Sequence, residues 1–99
     1  MLLSLAWFIA APAGATNLCR GLHTNTTLRQ LYLRYCGLTV DSGVDLCEVV
    51  ANSRTALEIL NVEGNRLGGM GLLTLCRGLA FNTVLQEINL ADNMIDQVC

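Results

Sequence analysis

Apolar positions recur along this chain in one frame, three times over. The first pass reads Leu28-x-x-Leu31-x-Leu33-x-x-Cys36-x-Leu38, the second Leu57-x-x-Leu60-x-Val62-x-x-Asn65-x-Leu67, and the third Leu85-x-x-Ile88-x-Leu90-x-x-Asn93-x-Ile95. The frames start at Leu28, Leu57 and Leu85, so the second interval is one position shorter than the first. Within each, the apolar residues alternate with polar ones. Leu31 and Leu33 alternate with Gln30, Tyr32 and Arg34, and a period of two predicts a short strand with its leucines turned to a core. The strands are expected near 30–34, 59–63 and 87–91.

Between the frames the spacing changes to that of a helix. Leu18, Cys19 and Leu22 predict an apolar helix face within 12–23, Val44, Cys47, Val50 and Ala51 within 41–53, and Leu72, Leu75, Cys76 and Leu79 within 69–81. Pro12 suits an early helical position, where its missing N–H has no intrahelical partner in any case. Asp41 or Ser42 is the expected N-cap of the second helix. Gly68, Gly69 and Gly71 open the third with room for a tight turn.

The segment from Leu18 to Leu28, Leu-Cys-Arg-Gly-Leu-His-Thr-Asn-Thr-Thr-Leu, returns from Leu75 to Leu85 as Leu-Cys-Arg-Gly-Leu-Ala-Phe-Asn-Thr-Val-Leu. The separation of the copies equals the two frame intervals taken together, since Leu28 and Leu85 close them. Self-similarity at a fixed period marks a repeat architecture, which takes in residues 14–99. Residues 1–13 admit two readings. Counting back one short interval from Leu31 and Leu33 reaches Leu3 and Leu5, which makes the stretch a degenerate first repeat. Its apolarity, with the small residues Ala13, Gly14 and Ala15 after it, also fits a secretory signal, although no Arg or Lys follows Met1. The run is short of the roughly 20 apolar residues a membrane-spanning helix needs.

The frame, its 28/29 alternation and the intervening helices resemble the ribonuclease-inhibitor type of leucine-rich repeat. That resemblance implies an α/β solenoid of about three repeats, curved, with parallel strands on the concave face and helices on the convex face. The chain stops where a further helix is expected to begin, so the array reads as incomplete, with further repeats of a longer array among its expected neighbours. The resemblance implies a side-chain ladder through Cys36, Asn65 and Asn93. It also implies that a protein partner binds the concave face and rim, here Gln30, Tyr32, Arg34, Tyr35, Asn61, Glu63, Glu87, Asn89 and Asp92. Tyr and Arg are the residues that dominate such surfaces. The expected function is a non-enzymatic interaction module or scaffold. An extracellular recognition repeat, if residues 1–15 are a signal, and a GTPase-activating type of regulator are the alternatives within the family.

Composition narrows this further. Apolar residues make up 53% of the chain and charged ones 14%, with a net charge of −2 and no lysine. Nucleic acid is therefore not the expected partner, since phosphate neutralisation needs a basic field. Three of the five cysteines fall at one repeat position, in Leu18-Cys19, Leu46-Cys47 and Leu75-Cys76. They read as small, reduced core residues rather than a disulfide framework, which points to the cytoplasm. Asn25-Thr26-Thr27 is formally a glycosylation acceptor, but at a helix end it reads as a turn residue. His23 stands alone, without a second ligand at metal spacing. No phosphate-binding loop with its lysine occurs. No cofactor, metal or catalytic residue is expected.

Overall fold

The structure, a computed structural model, describes residues 2–4, 18, 20–22, 26–52 and 54–94. Four strands, β1 (Leu2–Ser4), β2 (Gln30–Tyr32), β3 (Ile59–Asn61) and β4 (Glu87–Asn89), form one parallel sheet in the order of the chain. Helix α1 (Val40–Ala51) connects β2 to β3, and helix α2 (Gly68–Leu79) connects β3 to β4. Residues 18 and 20–22 are helical as well. The register advances by one repeat at each step: Leu3 faces Leu31, Leu31 faces Leu60, and Leu60 faces Ile88.

The strands are shorter than the alternation predicts. Each of the last three ends after three residues, because the chain then turns. Tyr35, Gly64 and Asp92 hold equivalent places in that turn and all take positive φ, at 54°, 75° and 56°. The ladder outlives the strand: Leu33 N donates to Asn61 O at 2.7 Å and Tyr35 N to Glu63 O at 2.9 Å. Arg34 and Glu63 thus sit on the turns and not in the sheet proper.

Helix α1 begins earlier than its acidic start implies. Its N-cap is Thr39, in extended geometry, and not Asp41 or Ser42. Ser42 is instead the third helical residue, whose Oγ accepts from Thr39 N at 3.0 Å, one arm of a capping box. The buried face of α1 is Ser42, Gly43, Leu46, Val49 and Val50. Val44, expected inside, is 50% exposed. In α2 the buried residues are Gly71, Leu72, Leu75 and Gly78. Glycines let the two helices approach backbone to backbone. A Cβ on Gly43 would stand 2.6 Å from Gly71 O, and one on Gly78 would stand 2.6 Å from Cys47 O. This contact is why Val44 faces outward: the helices lean on each other as well as on the sheet, which rotates the buried face towards the neighbouring helix.

The same contact corrects the reading of the cysteines. Cys47 is half-buried under Gly78, while Cys76, the equivalent residue of α2, is exposed. The position belongs to the helix–helix seam, and a cysteine there is covered only where a neighbouring helix lies over it. Leu3 stands opposite Leu31, the position counted back for a first repeat, while Leu5 and the rest of 5–13, with Cys19, His23, Asn25, Ile95, Cys99 and most of the expected helix at 12–23, lie outside the described residues.

One apolar cluster joins strands, turns and helices. Leu31, Leu46, Val50, Leu60, Val62, Leu67 and Leu75 are fully inaccessible, and Leu28, Leu33, Cys36, Leu38, Leu57 and Leu72 extend the interior. The longer frame interval is absorbed after α1. The step from Val50 to its counterpart Leu79 is one longer than the step from Leu57 to Leu85, so the extra residue lies in the segment between helix and strand. In the shorter of these segments Asn82 acts as a strut. Its Nδ2 donates to Val50 O at the end of α1 at 2.9 Å, and its Oδ1 accepts from Val84 N at 2.8 Å, just before β4.

Leu60 sits at the centre of the sheet with no accessible surface. Leu60→Asp strands a charge there, which costs several kcal/mol, a large share of the roughly 5–15 kcal/mol available to a domain. The expected result is loss of the cooperative melting transition followed by circular dichroism. A wild-type melting profile in this variant overturns the assigned register.

Candidate functional site

The sheet face opposite the helices is built by register. Gln30, Ile59 and Glu87 form one row across β2, β3 and β4, and Tyr32, Asn61 and Asn89 form the next. Each residue on this face neighbours a residue of the apolar core in sequence, so the core leucines fix which side chains face outward. Tyr32 Oη donates to Gln30 Oε1 at 3.3 Å. Asn61 Oδ1 accepts from Glu63 N at 3.0 Å, and Asn89 Oδ1 accepts from Ala91 N at 2.9 Å. These two asparagines thereby hold the first bend of each turn with their oxygens, which leaves the Nδ2 groups as donors on the face.

The turns beyond the strands are held from within by a second asparagine pair. Asn65 is buried, at 2% exposure. Its Oδ1 accepts from Cys36 N at 2.9 Å and from Leu38 N at 3.0 Å. Its Nδ2 donates to Leu33 O at 2.8 Å and Val62 O at 2.6 Å. Asn93, fully buried, repeats the arrangement one step on, with Nδ2 to Val62 O at 2.9 Å and Leu67 N to its Oδ1 at 3.4 Å. Each asparagine thus joins its own turn to the turn before it. Cys36 occupies the same place in the first described turn, buried, with Sγ 3.4 Å from Arg34 O. A thiol is a weaker hydrogen-bonding group and covers fewer backbone sites.

The rim follows from those turns. Gly64 needs its positive φ, and it also makes room: a Cβ there would stand 2.2 Å from the Tyr35 ring. Tyr35 therefore lies across Gly64 of the next repeat. Arg34 Cζ stands 5.9 Å from the centre of that ring, within cation–π range. Arg34 Nε stands 3.2 Å from Glu63 Oε1. The pair is ionic in distance but not aligned as a hydrogen bond, since the buried Nε makes none. A second pair, Arg29 Nη1 to Glu58 Oε2 at 3.4 Å, lies just before the strands. Both are partly exposed, and such pairs contribute about 0–1 kcal/mol. Glu87 and Asp92 are exposed.

Of the residues named from sequence, Gln30, Tyr32, Asn61, Glu87 and Asn89 lie on the strands, and Arg34, Tyr35, Glu63 and Asp92 on the adjoining turns. Sequence reasoning misses the seat of Tyr35 on Gly64. Its signal is a glycine in a row otherwise held by Tyr and Asp. The Arg29–Glu58 pair is missed too, although both sit one position after the first leucine of their frames. Among the described residues no group of three His, Cys, Asp or Glu side chains is placed to hold a metal ion. No helix among them is long and apolar enough to cross a membrane.

The parallel sheet, the helices on one side of it and the buried asparagine column together define a leucine-rich repeat protein. The family described as Leucine Rich repeat matches residues 24–47 and 55–76. The mouse ribonuclease inhibitor is 42% identical over 67 residues, which are 67% of this chain and 14% of that protein. A protein phosphatase 1 regulatory subunit 37 homolog of Caenorhabditis elegans is 35% identical over 81 residues, 81% of this chain and 9% of that protein. The chain thus spans a small part of the relatives it matches. A solved structure of the leiomodin-1 actin-binding site 2 superposes with a TM-score of 0.80 over 88% of this chain and 50% of its own, at 18% identity, which speaks to the fold alone. The chain belongs to the leucine-rich repeat proteins, and its repeats are of the ribonuclease-inhibitor type.

The ladder makes a quantitative claim. Asn65→Ala leaves Cys36 N, Leu38 N and Leu33 O buried without that partner, and each such group costs about 1–3 kcal/mol. The expected loss is at least about 3 kcal/mol in denaturant melts. Cys36→Ala removes a weak thiol donor and is expected to cost clearly less. Equal losses in the two variants would show that the asparagine has no special part.

Proposed function

We propose that this chain is a non-catalytic binding module that engages a protein partner on the sheet face opposite the helices and along its rim. The observation that carries this reading is the arrangement at residues 32–35. Tyr32 is held by Gln30, Tyr35 rests across Gly64, and Arg34 is steadied between the Tyr35 ring and Glu63. Large side chains fixed before binding lose little freedom on association, and Tyr and Arg are the residues from which interface affinity mostly comes. Gln30, Asn61, Glu63, Glu87, Asn89 and Asp92 supply the polar surround. The relatives support the reading by their names: one is an inhibitor of a ribonuclease and another a regulatory subunit of a phosphatase. The partners of those proteins are theirs, and the partner of this chain is to be found by experiment.

The test is direct. A partner captured by cross-linking from the native cell and identified by mass spectrometry is titrated against the wild type, Tyr32→Ala and Arg34→Ala by calorimetry. Each variant is expected to melt within about 1 kcal/mol of the wild type and to bind at least about tenfold more weakly, a loss of about 1.4 kcal/mol. Unchanged affinity in both variants removes this face from the interface.

The same proposal puts the protein in the cytoplasm, supported by the unbridged cysteines 36, 47 and 76. Intact-mass measurement of the protein expressed in a eukaryotic cell is expected to show residues 1–15 retained and Asn25 without glycan. A chain starting near Thr16 and carrying glycan mass would make it a secreted recognition repeat instead.

A further inference from the structure

Helices α1 and α2 turn a second surface outward, away from the sheet, and its side chains follow from the seam between them. A Cβ on Gly71 would stand 3.4 Å from Val40 Cα, and one on Gly68 would stand 4.0 Å from Val40 Cγ2. Val40 therefore lies against the start of α2, where Met70 stands next to Gly71. Val44 follows Val40 by one turn on the same face of α1. Val40, Val44 and Met70 are all exposed.

This exposure does not come from a missing neighbour. In the repeat, Leu73 of α2 is the counterpart of Val44, as Cys76 is of Cys47. Val44 is 50% exposed with α2 packed beside it, and Leu73, with no described helix beyond α2, is 47% exposed. A helix stacked alongside leaves this position open, so a further repeat would not cover it. Nor does the patch belong to the repeat frame. The counterpart of Met70 is Asp41, also exposed. A methionine stands where the preceding repeat has a solvated acid. Apolar side chains gathered on an outer face mark a contact surface, and methionine adapts to the shape of what it meets.

The helices use their backbone groups within their own turns, so an extended strand finds nothing here to pair with, whereas a docked helix satisfies its own. The border of the patch is acidic along α1. That helix carries Asp41, Asp45 and Glu48 and no basic residue, and Asp41 and Glu48 are exposed. We propose that the outer face of the α1–α2 seam docks an amphipathic helix of another protein. Its apolar stripe lies on Val40, Val44 and Met70, and lysines or arginines on its flank meet Asp41 and Glu48. Leu73 extends the apolar floor, and Arg77, one turn past Leu73, is the one exposed charge of opposite sign on the two helices. An anionic membrane does not suit this edge, because its surface repels Asp41 and Glu48. The site is small, and the contact is expected to be weak. It lies on the side of the sheet away from Tyr32 and does not rest on the partner reading above.

The test uses the whole chain and a fluorescent peptide probe of about five helical turns, with a leucine stripe flanked by lysines. A second probe keeps the leucines and carries glutamate in place of lysine. Anisotropy titration is expected to show the lysine probe binding at least about tenfold more tightly than the glutamate probe. Glu48→Lys and the double variant Val44→Ser/Met70→Ser change exposed positions and are expected to keep the wild-type circular dichroism. Each is expected to bind the lysine probe at least about fivefold more weakly, while Tyr32→Ala binds it as the wild type does. Equal binding of the two probes, a folded variant of the pair with unchanged affinity, or a loss in Tyr32→Ala would each overturn the proposal. Flotation with phosphatidylserine-containing vesicles and sedimentation velocity of the chain alone are expected to show neither membrane binding nor self-association through this face. Either one, if abolished by Val44→Ser/Met70→Ser, would give the face to a membrane or to a second copy and overturn the proposal as well.

Discussion

Everything in this molecule depends on how open turns are closed without water. Each strand is only three residues long, and the chain leaves it through a turn that carries several backbone donors and acceptors into the interior. Buried peptide groups need partners. A helix or a wide sheet would supply them from the backbone, but a turn repeated along an array does not. Asn65 and Asn93 supply them from the side chain instead, each reaching its own turn and the preceding one. The amide suits the task because it accepts at one end and donates twice at the other. With the turns fixed to one another, the strands must stack in register, and the outward rows follow.

Rigidity at the rim is a product of the same arrangement. The positive φ shared by Tyr35, Gly64 and Asp92 sets the direction in which the chain leaves each strand. At Tyr35 that direction throws the side chain across the neighbouring repeat. The ring comes to rest where Gly64 has no Cβ, and Arg34 settles against it. The outer surface is therefore a by-product of turn geometry: the residues that keep the fold in register also determine which side chains stand still on it.

Much of this is legible in the sequence because the repeat reports itself. The positions of Leu31, Leu60 and Ile88 follow from a frame read three times, and their alignment across the sheet follows from the frame intervals. The asparagine column is legible for the same reason. Interactions between unlike repeats are not. Val44 and Cys76 carry the right apolar character for a core, yet one is half exposed and the other exposed. Their fate depends on the Gly43–Gly71 and Gly78–Cys47 approaches, which are properties of two helices together and leave no periodic trace in either. Thr39 is hard to see as a cap because Ser42, the better residue by propensity, works from the third helical position. The seat of Tyr35 is hidden because an absent side chain is its cause.

The unequal frame intervals bear on how such a chain tolerates changes of length. The odd residue lies in the segment leading from helix to strand, residues 51–56, and the register of the sheet is the same on both sides of it. Residues 28–38 and 57–67, by contrast, keep identical spacing, since the ladder counts them atom by atom. The repeat behaves as a ruled scale with one adjustable joint. A residue added at that joint leaves the register undisturbed, and the Asn82 strut shows the shorter form of the joint still locking helix to strand. Slack in length and the surface for recognition are thus kept in different parts of the repeat, which leaves the outer rows free to change one side chain at a time while the frame beneath them stays in step.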